Sequence, residues 1–330
     1  MPTLIVASTS PGAGKTAITA ALAAWLLKSG RQVAVARAWS ADPAGDKDAA
    51  AFKLLLKDAI QVAPQAVSGN PATAQIRQFA SRLKAASKDT AVAIVEGGSG
   101  DTAHTVALAE ATDGLVILVA RITDRIVPAA QAYGTRLAGV IVNSLPRYQV
   151  HALEAEVVPA LKQAGVPYLG AIPEDRRLIA PSIGLVAEHL GAEFALLPEE
   201  SARLLDNFLI GGLVLDWGPT YFGSQENTGV IVRGDRPDVQ LAALQTDTTR
   251  ALVLTKGVSP IEYVYYEAQQ REIPVVVSPY DTHETASKLE SLLPKIRFDH
   301  PDKLSRAVEL VGSRLDLKII ERAIAQPVTR

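Results

Sequence analysis

Lys15 and Thr16 are the residues of this chain whose types and spacing are best suited to chemistry; they close the stretch Ser10-Pro11-Gly12-Ala13-Gly14-Lys15-Thr16, with Ala17 after it. A polyphosphate must be held by many short donors at once. Backbone N–H groups crowd around it only where side chains stay out of the way, which accounts for Gly12 and Gly14. Lys15 then supplies a mobile positive charge for the β and γ phosphates, and Thr16 offers a hydroxyl to Mg²⁺. Pro11, Ala13 and Ala17 share the loop and are expected to border the nucleotide. The pattern G-x-x-x-x-G-K-[ST] expects glycine at position 9, where this chain has Thr9. Gly12, Gly14 and Ala17 also fit the dinucleotide pattern G-x-G-x-x-[GA]. That reading requires an acidic residue at the end of the second strand, and QVAVARAW carries Arg37 and Trp39 there instead.

The elements around the loop have the order a phosphate site needs. A short apolar run, Leu4 to Ala7, precedes it and the helical pattern AITAALAAWLLKSG follows. From residue 1 to about 190, strand-like runs alternate with helical patterns, which predicts an α/β fold with a parallel sheet covered by helices on both faces. The strands are TLIVAS, QVAVARA, TAVAIVEG, GLVILVA, LAGVIVNS and YLGAIP. The helices are expected at Thr16 to Lys28, Ala49 to Lys57, Pro71 to Ala86, Thr102 to Ala111 and Ala152 to Ala164.

Ligands of open α/β sheets sit beyond the carboxyl ends of the strands, so strand ends are where function is sought. Glu96 ends TAVAIVEG and is expected to hold Mg²⁺ directly or through water, with Gly97 and Gly98 allowing close approach. The following GGSGD fails the G-x-S-x-G nucleophile pattern because Asp101 occupies its last position. After the second strand come Asp42, Asp46 and Asp48. Two of these three are read as completing the Mg²⁺ shell, with Asp48 as a metal ligand, or Asp48 is read as the cap of a helix starting at Ala49. Arg37 and Ser40 are expected to face the γ phosphate or a second substrate. Asn143 ends GVIVNS, where an amide can read an adenine edge or form a turn. No NKxD guanine motif follows, so ATP is expected over GTP. Pro173, in AIPEDRRL, fixes the next strand end.

Net charge is −2, so no nucleic-acid and no membrane partner is expected. The absence of cysteine removes disulfides and thiolate sites, and the five histidines are scattered without ligand spacing. The start of the chain has no signal-peptide pattern and the most apolar run, Ala17 to Leu27, is too short to span a bilayer, so a cytoplasmic protein is expected.

The stretch AEFALLPEESARLLDN, near residues 192 to 206, reads as a linker with a short helix. A second α/β alternation follows, with strands FLIGGLVL, GVIVRG, ALVLTKG and IPVVVS and helices at Pro237 to Gln245, Pro260 to Arg271 and His283 to Leu293. The expected division is a nucleotide-binding domain at 1–195, a linker at 196–205, a smaller α/β domain at 206–313 and a C-terminal helix or tail at 314–330. At the second domain's strand ends stand Arg233-Gly234-Asp235-Arg236, Thr255-Lys256-Gly257 and Ser278-Pro279-Tyr280-Asp281-Thr282. These polar clusters are expected to serve a small anionic ligand or a subunit contact.

With SPGAGKT, VEGGSG, GVIVNSLP and LGAIPEDRRL in view, the first domain resembles the dethiobiotin synthetase group of phosphate-loop enzymes. The second resembles the DRTGG domain through VRGDRPDVQLAAL, RALVLTKG and SPYDTHETA, and the combination is similar to the N-terminal half of long bacterial phosphotransacetylases. The residues given end where the acetyl-transferring domain of those enzymes is expected to begin. The resemblance implies ATP and Mg²⁺ as cofactors, Lys15 and Thr16 on phosphate and metal, Glu96 sharing the metal, and Asn143 and Pro173 beside adenine. Arg37 stands where the synthetases carry a lysine that assists carbamate phosphorylation; an arginine clamps phosphate but does not shuttle a proton. Asp235-Arg236 is followed by Pro237-Asp238 and lacks the paired glycines of the DRTGG signature. Two functions are therefore expected to compete. One is an ATP- and Mg²⁺-binding regulatory module with slow or no hydrolysis, as a homodimer. The other is a synthetase that phosphorylates a carboxylate or carbamate, with Lys15, Arg37 and Glu96 catalytic.

Overall fold

The computed structural model describes residues 1–87, 92–212 and 218–325. The chain packs as two units, Met1–Asp175 with Phe298–Arg330, and Arg176–Arg297.

The strands of the first unit are β1 (Thr3–Ser8), β2 (Val33–Arg37), β3 (Trp39–Ser40), β4 (Ile60–Val62), β5 (Gln65–Ala66), β6 (Val92–Ser99), β7 (Leu115–Ala120), β8 (Leu137–Leu145) and β9 (Tyr168–Pro173). Seven of them form one parallel sheet in the order β4-β2-β6-β1-β7-β8-β9, while β3 and β5 pair separately. The helices are α1 (Lys15–Lys28), α2 (Lys47–Leu55), α3 (Thr73–Ser87), α4 (Thr102–Thr112), α5 (Ile126–Gln131), α6 (Val150–Ala152) and α7 (Val158–Gln163).

The sheet is apolar on both sides because both sides are covered. Alternate residues Ile5, Ala7, Ala93, Val95, Val116, Leu118, Val140 and Val142 pack on Ile76, Phe79 and Leu83 of α3, Leu108 of α4, Ala130 of α5 and Leu161 of α7. The intervening residues Leu4, Val6, Val35, Ile94, Ile117 and Ile141 are equally buried, and α1 lies against β1, β2 and β6. Truncating Phe79 or Leu83 to alanine removes core volume and costs about 2–5 kcal/mol.

The second unit holds α8 (Ile183–Leu190), β10 (Glu193–Leu196), β11 (Asn207–Gly211), α9 (Gly218–Phe222), β12 (Thr228–Arg233), α10 (Pro237–Leu244), β13 (Thr249–Thr255), α11 (Glu262–Gln270), β14 (Val275–Val277) and α12 (Thr282–Glu290). Its sheet runs β10-β14-β13-β12-β11 and is parallel except that β10 is antiparallel to β14. The chain then returns to the first unit with α13 (Pro301–Arg314) and α14 (Leu317–Ala325). There α13 packs on α1 and β9, and Arg306 meets Asp175 at 2.7 Å.

Several details differ from the sequence expectation. Residues 193–196, read as linker, form a strand, because Phe194 lies partly buried against the core of the second sheet and Leu196 is buried beside it. Only Pro198–Ala202 within that stretch is helical, as one 3₁₀ turn. The helix expected at 152–164 is interrupted by a π-helical stretch at Leu153–Val157 between α6 and α7. Residues 298–313, expected with the second domain, group with the first. Helix α1 starts at Lys15, so Thr16 is not its first residue. Thr90 and Ala91 of the expected strand TAVAIVEG, Leu213 to Leu215 of FLIGGLVL and the tail at 326–330 lie outside the described residues. Among the described residues no helix is long and apolar enough to cross a membrane.

Candidate nucleotide site

β1 lies between β6 and β7 at the centre of its sheet, so the loop that leaves it at Ser8 emerges at the carboxyl edge with strand ends on either side. Gly12 and Gly14 adopt φ of 72° and 93°, values at which a side chain is strained. A Cβ on Gly14 would also clash with Nδ2 of Asn143. Gly14 is the N-cap of α1 and makes no side-chain capping bond. The first-turn N–H groups of α1 therefore have no side-chain cap, and the helix N-terminus favours an anion there.

Neighbouring strands bring the charged groups to this loop. On β2 and β6, Arg37 and Glu96 are register partners, and Val6 of β1 is the partner of Glu96 on its other side. Lys15 Nζ lies 4.0 Å from Glu96 Oε1 and is hydrogen-bonded with Ser99 Oγ at 2.5 Å. Arg37 Nη1 lies 3.6 Å from the same Oε1. Burial pushes the Glu96 carboxyl above its ordinary range, opposed by Lys15, Arg37 and the hydroxyl of Thr16. Burial likewise holds Lys15 below the ordinary lysine range, with Glu96 opposing and Arg37 adding to the shift. Both groups thus pay a desolvation cost that their mutual attraction does not cancel.

Oε2 of Glu96 is buried with no hydrogen-bond partner. An unpartnered carboxylate oxygen on the loop side of the sheet, beside Thr16 and Lys15, fits a divalent cation. Thr16 and Glu96 are the residues that would hold it. Asp48, expected as a metal ligand or a helix cap, does not cap α2. Its carboxylate meets Arg37, and it is Asp46 that caps α2 by accepting from Ala49 N at 2.9 Å. Asp46 also reaches Arg37 Nε at 3.2 Å. Arg37 is therefore held by three carboxylates. Among the described residues no three His, Cys, Asp or Glu side chains gather into a metal cluster.

Asn143 is 6% exposed at the end of β8, and its Nδ2 donates to the carbonyl of Ala13 at 2.7 Å. That contact braces the phosphate loop. Pro173 ends β9 opposite Leu145 and is half-buried, while Pro11 is exposed and Ala17 partly buried. Sequence reasoning missed three residues that touch this loop or its lysine. Ser99 holds Lys15. Arg121 Nη2 donates to the Gly12 carbonyl at 2.8 Å. Asp124 Oδ2 accepts from the hydroxyls of Thr9 and Ser10 and from the backbone of Arg121. The last two follow the strand GLVILVA, so the strand-end rule, applied there as well, would have found them.

The second unit's strand ends look different. Arg233 makes two bonds to Asp235, at 2.8 and 2.6 Å, and Arg236 makes two to Asp238, at 2.9 and 2.7 Å. Lys256 lies 3.6 Å from Asp235, whose carboxyl is held at about 2 by the Arg233 guanidinium. Beneath them, Gln240 donates to the carbonyls of Arg233 and Gly234. Asp281 caps α12 by accepting from Glu284 N at 2.8 Å.

Comparison with known proteins assigns both regions. Residues 2–182 match the AAA domain family and residues 185–292 match the DRTGG domain. A phosphate acetyltransferase of Deinococcus radiodurans is 28% identical over 212 residues, which are 60% of this chain and 30% of that protein. The chain spans about a third of the length of the phosphate acetyltransferases that it matches. An uncharacterized ATP-binding protein of Methanocaldococcus jannaschii is 29% identical over 198 residues, 52% of this chain and 74% of that protein. Among solved structures, cobyrinic acid a,c-diamide synthase from Mycobacterium smegmatis, with bound ADP and magnesium, aligns at a TM-score of 0.40 and 15% identity, covering 53% of this chain and 88% of that one. With more than half its residues matched by a phosphate-loop domain and most of the remainder by a second one, the chain belongs to the AAA domain family and carries a DRTGG domain.

Proposed function

We propose that the first domain binds ATP with Mg²⁺ and hydrolyses it slowly or not at all, and that the DRTGG domain gives the protein a regulatory or ligand-sensing role. The observation that carries this reading is the pairing of a glycine cradle with a partly buried Lys15 and a buried Glu96 whose Oε2 lacks a partner. Lys15 exchanges Ser99 for a phosphate oxygen, the α1 N-terminus accepts the phosphate charge, and Glu96 with Thr16 holds the cation. The chemistry that Mg²⁺ would supply there is neutralisation of phosphate charge.

Slow turnover is supported by Arg37. It stands where a proton-shuttling lysine would act in a synthetase and is engaged by Asp46, Asp48 and Glu96. A guanidinium so held clamps charge and takes up no proton. The intact set of Lys15, Thr16 and Glu96 favours a second reading, a synthetase that phosphorylates a carboxylate or carbamate. Pro173 borders the base in both readings. A homodimer in the cytoplasm completes the proposal, its size measurable by sedimentation.

Phosphate release by purified protein, with melting temperature measured alongside, tests the first reading. ATP and Mg²⁺ raising the melting temperature without being consumed supports it. Turnover at about 1 s⁻¹ or above, stimulated by one carboxylate or amine, replaces it with the second.

A further inference from the structure

The two carbonyls at the tip of the phosphate loop are each tied from outside by a side chain of another strand end. Arg121 donates to the carbonyl of Gly12 at 2.8 Å and Asn143 to that of Ala13 at 2.7 Å. No peptide bond among the described residues is cis. In a trans peptide unit the carbonyl and the following N–H point in opposite directions. With Arg121 on the Gly12 carbonyl, the Ala13 N–H is turned away from Arg121, and with Asn143 on the Ala13 carbonyl the Gly14 N–H is turned away from Asn143.

The segment needs such restraint, because Gly12 and Gly14 both sit at positive φ and glycine crosses between backbone regions with little steric resistance. A third tie acts at the start of the loop. Thr9, in place of the glycine that the motif expects, offers its hydroxyl to Asp124, which also accepts from Ser10 at 3.4 Å and from the Arg121 N–H at 2.8 Å. Asp124 thereby fixes the turn that carries Arg121, whose carbonyl accepts from the Asp124 N–H at 3.0 Å.

We infer that Arg121, Asp124 and Asn143 form an external clamp that presets the N–H groups of the cradle, which makes Arg121 and Asn143 positioning residues for a bound polyphosphate. This rests on the nucleotide reading of the loop. It assigns Asn143 to the cradle and away from the adenine edge, and it gives the residues after β7 a part in binding. Ordering the loop before the ligand arrives removes an entropic cost of binding, so the clamp acts on affinity.

Calorimetric affinities for inorganic tripolyphosphate and for ATP with Mg²⁺ test it, with the melting temperature of the free protein as control. Arg121→Ala is expected to weaken both ligands about tenfold. Because Arg121 is exposed, the melting temperature should stay within about 2 °C of wild type. Arg121→Gln, which keeps an N–H donor without the charge, is expected to recover most of the loss. Unchanged affinity in Arg121→Ala overturns the clamp. So does rescue by Arg121→Lys with none by Arg121→Gln, since that pattern belongs to a charge touching phosphate. Asn143→Ser is expected to weaken tripolyphosphate and ATP by the same factor; loss confined to ATP returns Asn143 to the base. Wild-type protein that binds neither ligand takes down the nucleotide reading and the clamp together, whereas wild-type binding with unaffected variants removes the clamp alone.

Discussion

The two larger sheets of this protein both have polar loops at the carboxyl edges of their parallel strands, yet they handle charge in opposite ways. At the first, Glu96 is buried and Lys15 partly so, each shifted by burial against its charged form, and one carboxylate oxygen has no partner. At the second, Arg233 and Arg236 lie at the surface and each is satisfied by a carboxylate two residues away. Exposed local pairs of this kind contribute little and leave little for a ligand to gain. Buried groups held against their preference are what a ligand can relieve. The difference separates an edge where charge is left for a ligand to relieve from one that is already neutralised.

The sharpest way to break that comparison is at Gly14. Gly14→Ala places a Cβ against Asn143 at a φ of 93°, and it is expected to abolish the ATP-induced rise in melting temperature and to destabilise the free protein by about 1–3 kcal/mol. Lys15→Ala ranks next, with ATP affinity expected to fall at least about 100-fold by calorimetry while the circular dichroism spectrum is unchanged. An unaltered affinity in this variant would remove the loop from phosphate binding.

The pH dependence sharpens the contrast further. Glu96 has its folded pKa raised above an ordinary 4.5, so above that value the unfolded chain ionises first. The stability Glu96 contributes is full below 4.5 and is lost as pH rises through the folded value. Glu96→Gln does not titrate, so its melting temperature is expected to gain on wild type between about pH 4 and pH 7; parallel curves would show that the carboxyl is not desolvated. The smallest effect is expected at the other edge. Arg233→Ala should change the melting temperature by less than about 2 °C and leave ATP affinity untouched. A loss of binding of tripolyphosphate or of an inorganic anion in that variant would mean that the paired edge is a site after all.

Local chemistry made much of this legible. TLIVAS is strand β1 residue for residue, because an unbroken apolar run before a glycine turn has few other uses. SPGAGKT announced the cradle because its requirements, small residues and a lysine at a helix start, are met within seven positions. Glu96 was found by asking what ends a strand. Other features rest on partners far away in sequence. Asp48 was read as a cap, yet Arg37 meets both Asp46 and Asp48, and it is the N–H of Ala49 that settles on Asp46. Glu193–Leu196 reads as linker because four residues carry too little pattern, and it becomes a strand by pairing with β14. Likewise β4 is three residues long and exists only as the edge partner of β2.

By itself, the sequence determined that a phosphate loop opens the chain, that an α/β domain is built around it and that a second α/β domain follows. Glycine placement and apolar periodicity are properties of neighbouring residues, and they act before the chain has closed on itself. The tertiary structure decided where Asn143, Arg121 and Asp124 spend their hydrogen bonds, since Arg121 reaches Gly12 across 109 positions and Asn143 reaches Ala13 across 130. It also decided which charges are buried without relief. Desolvation depends on how many strands and helices surround a group, and no stretch of residues carries that number in its own letters.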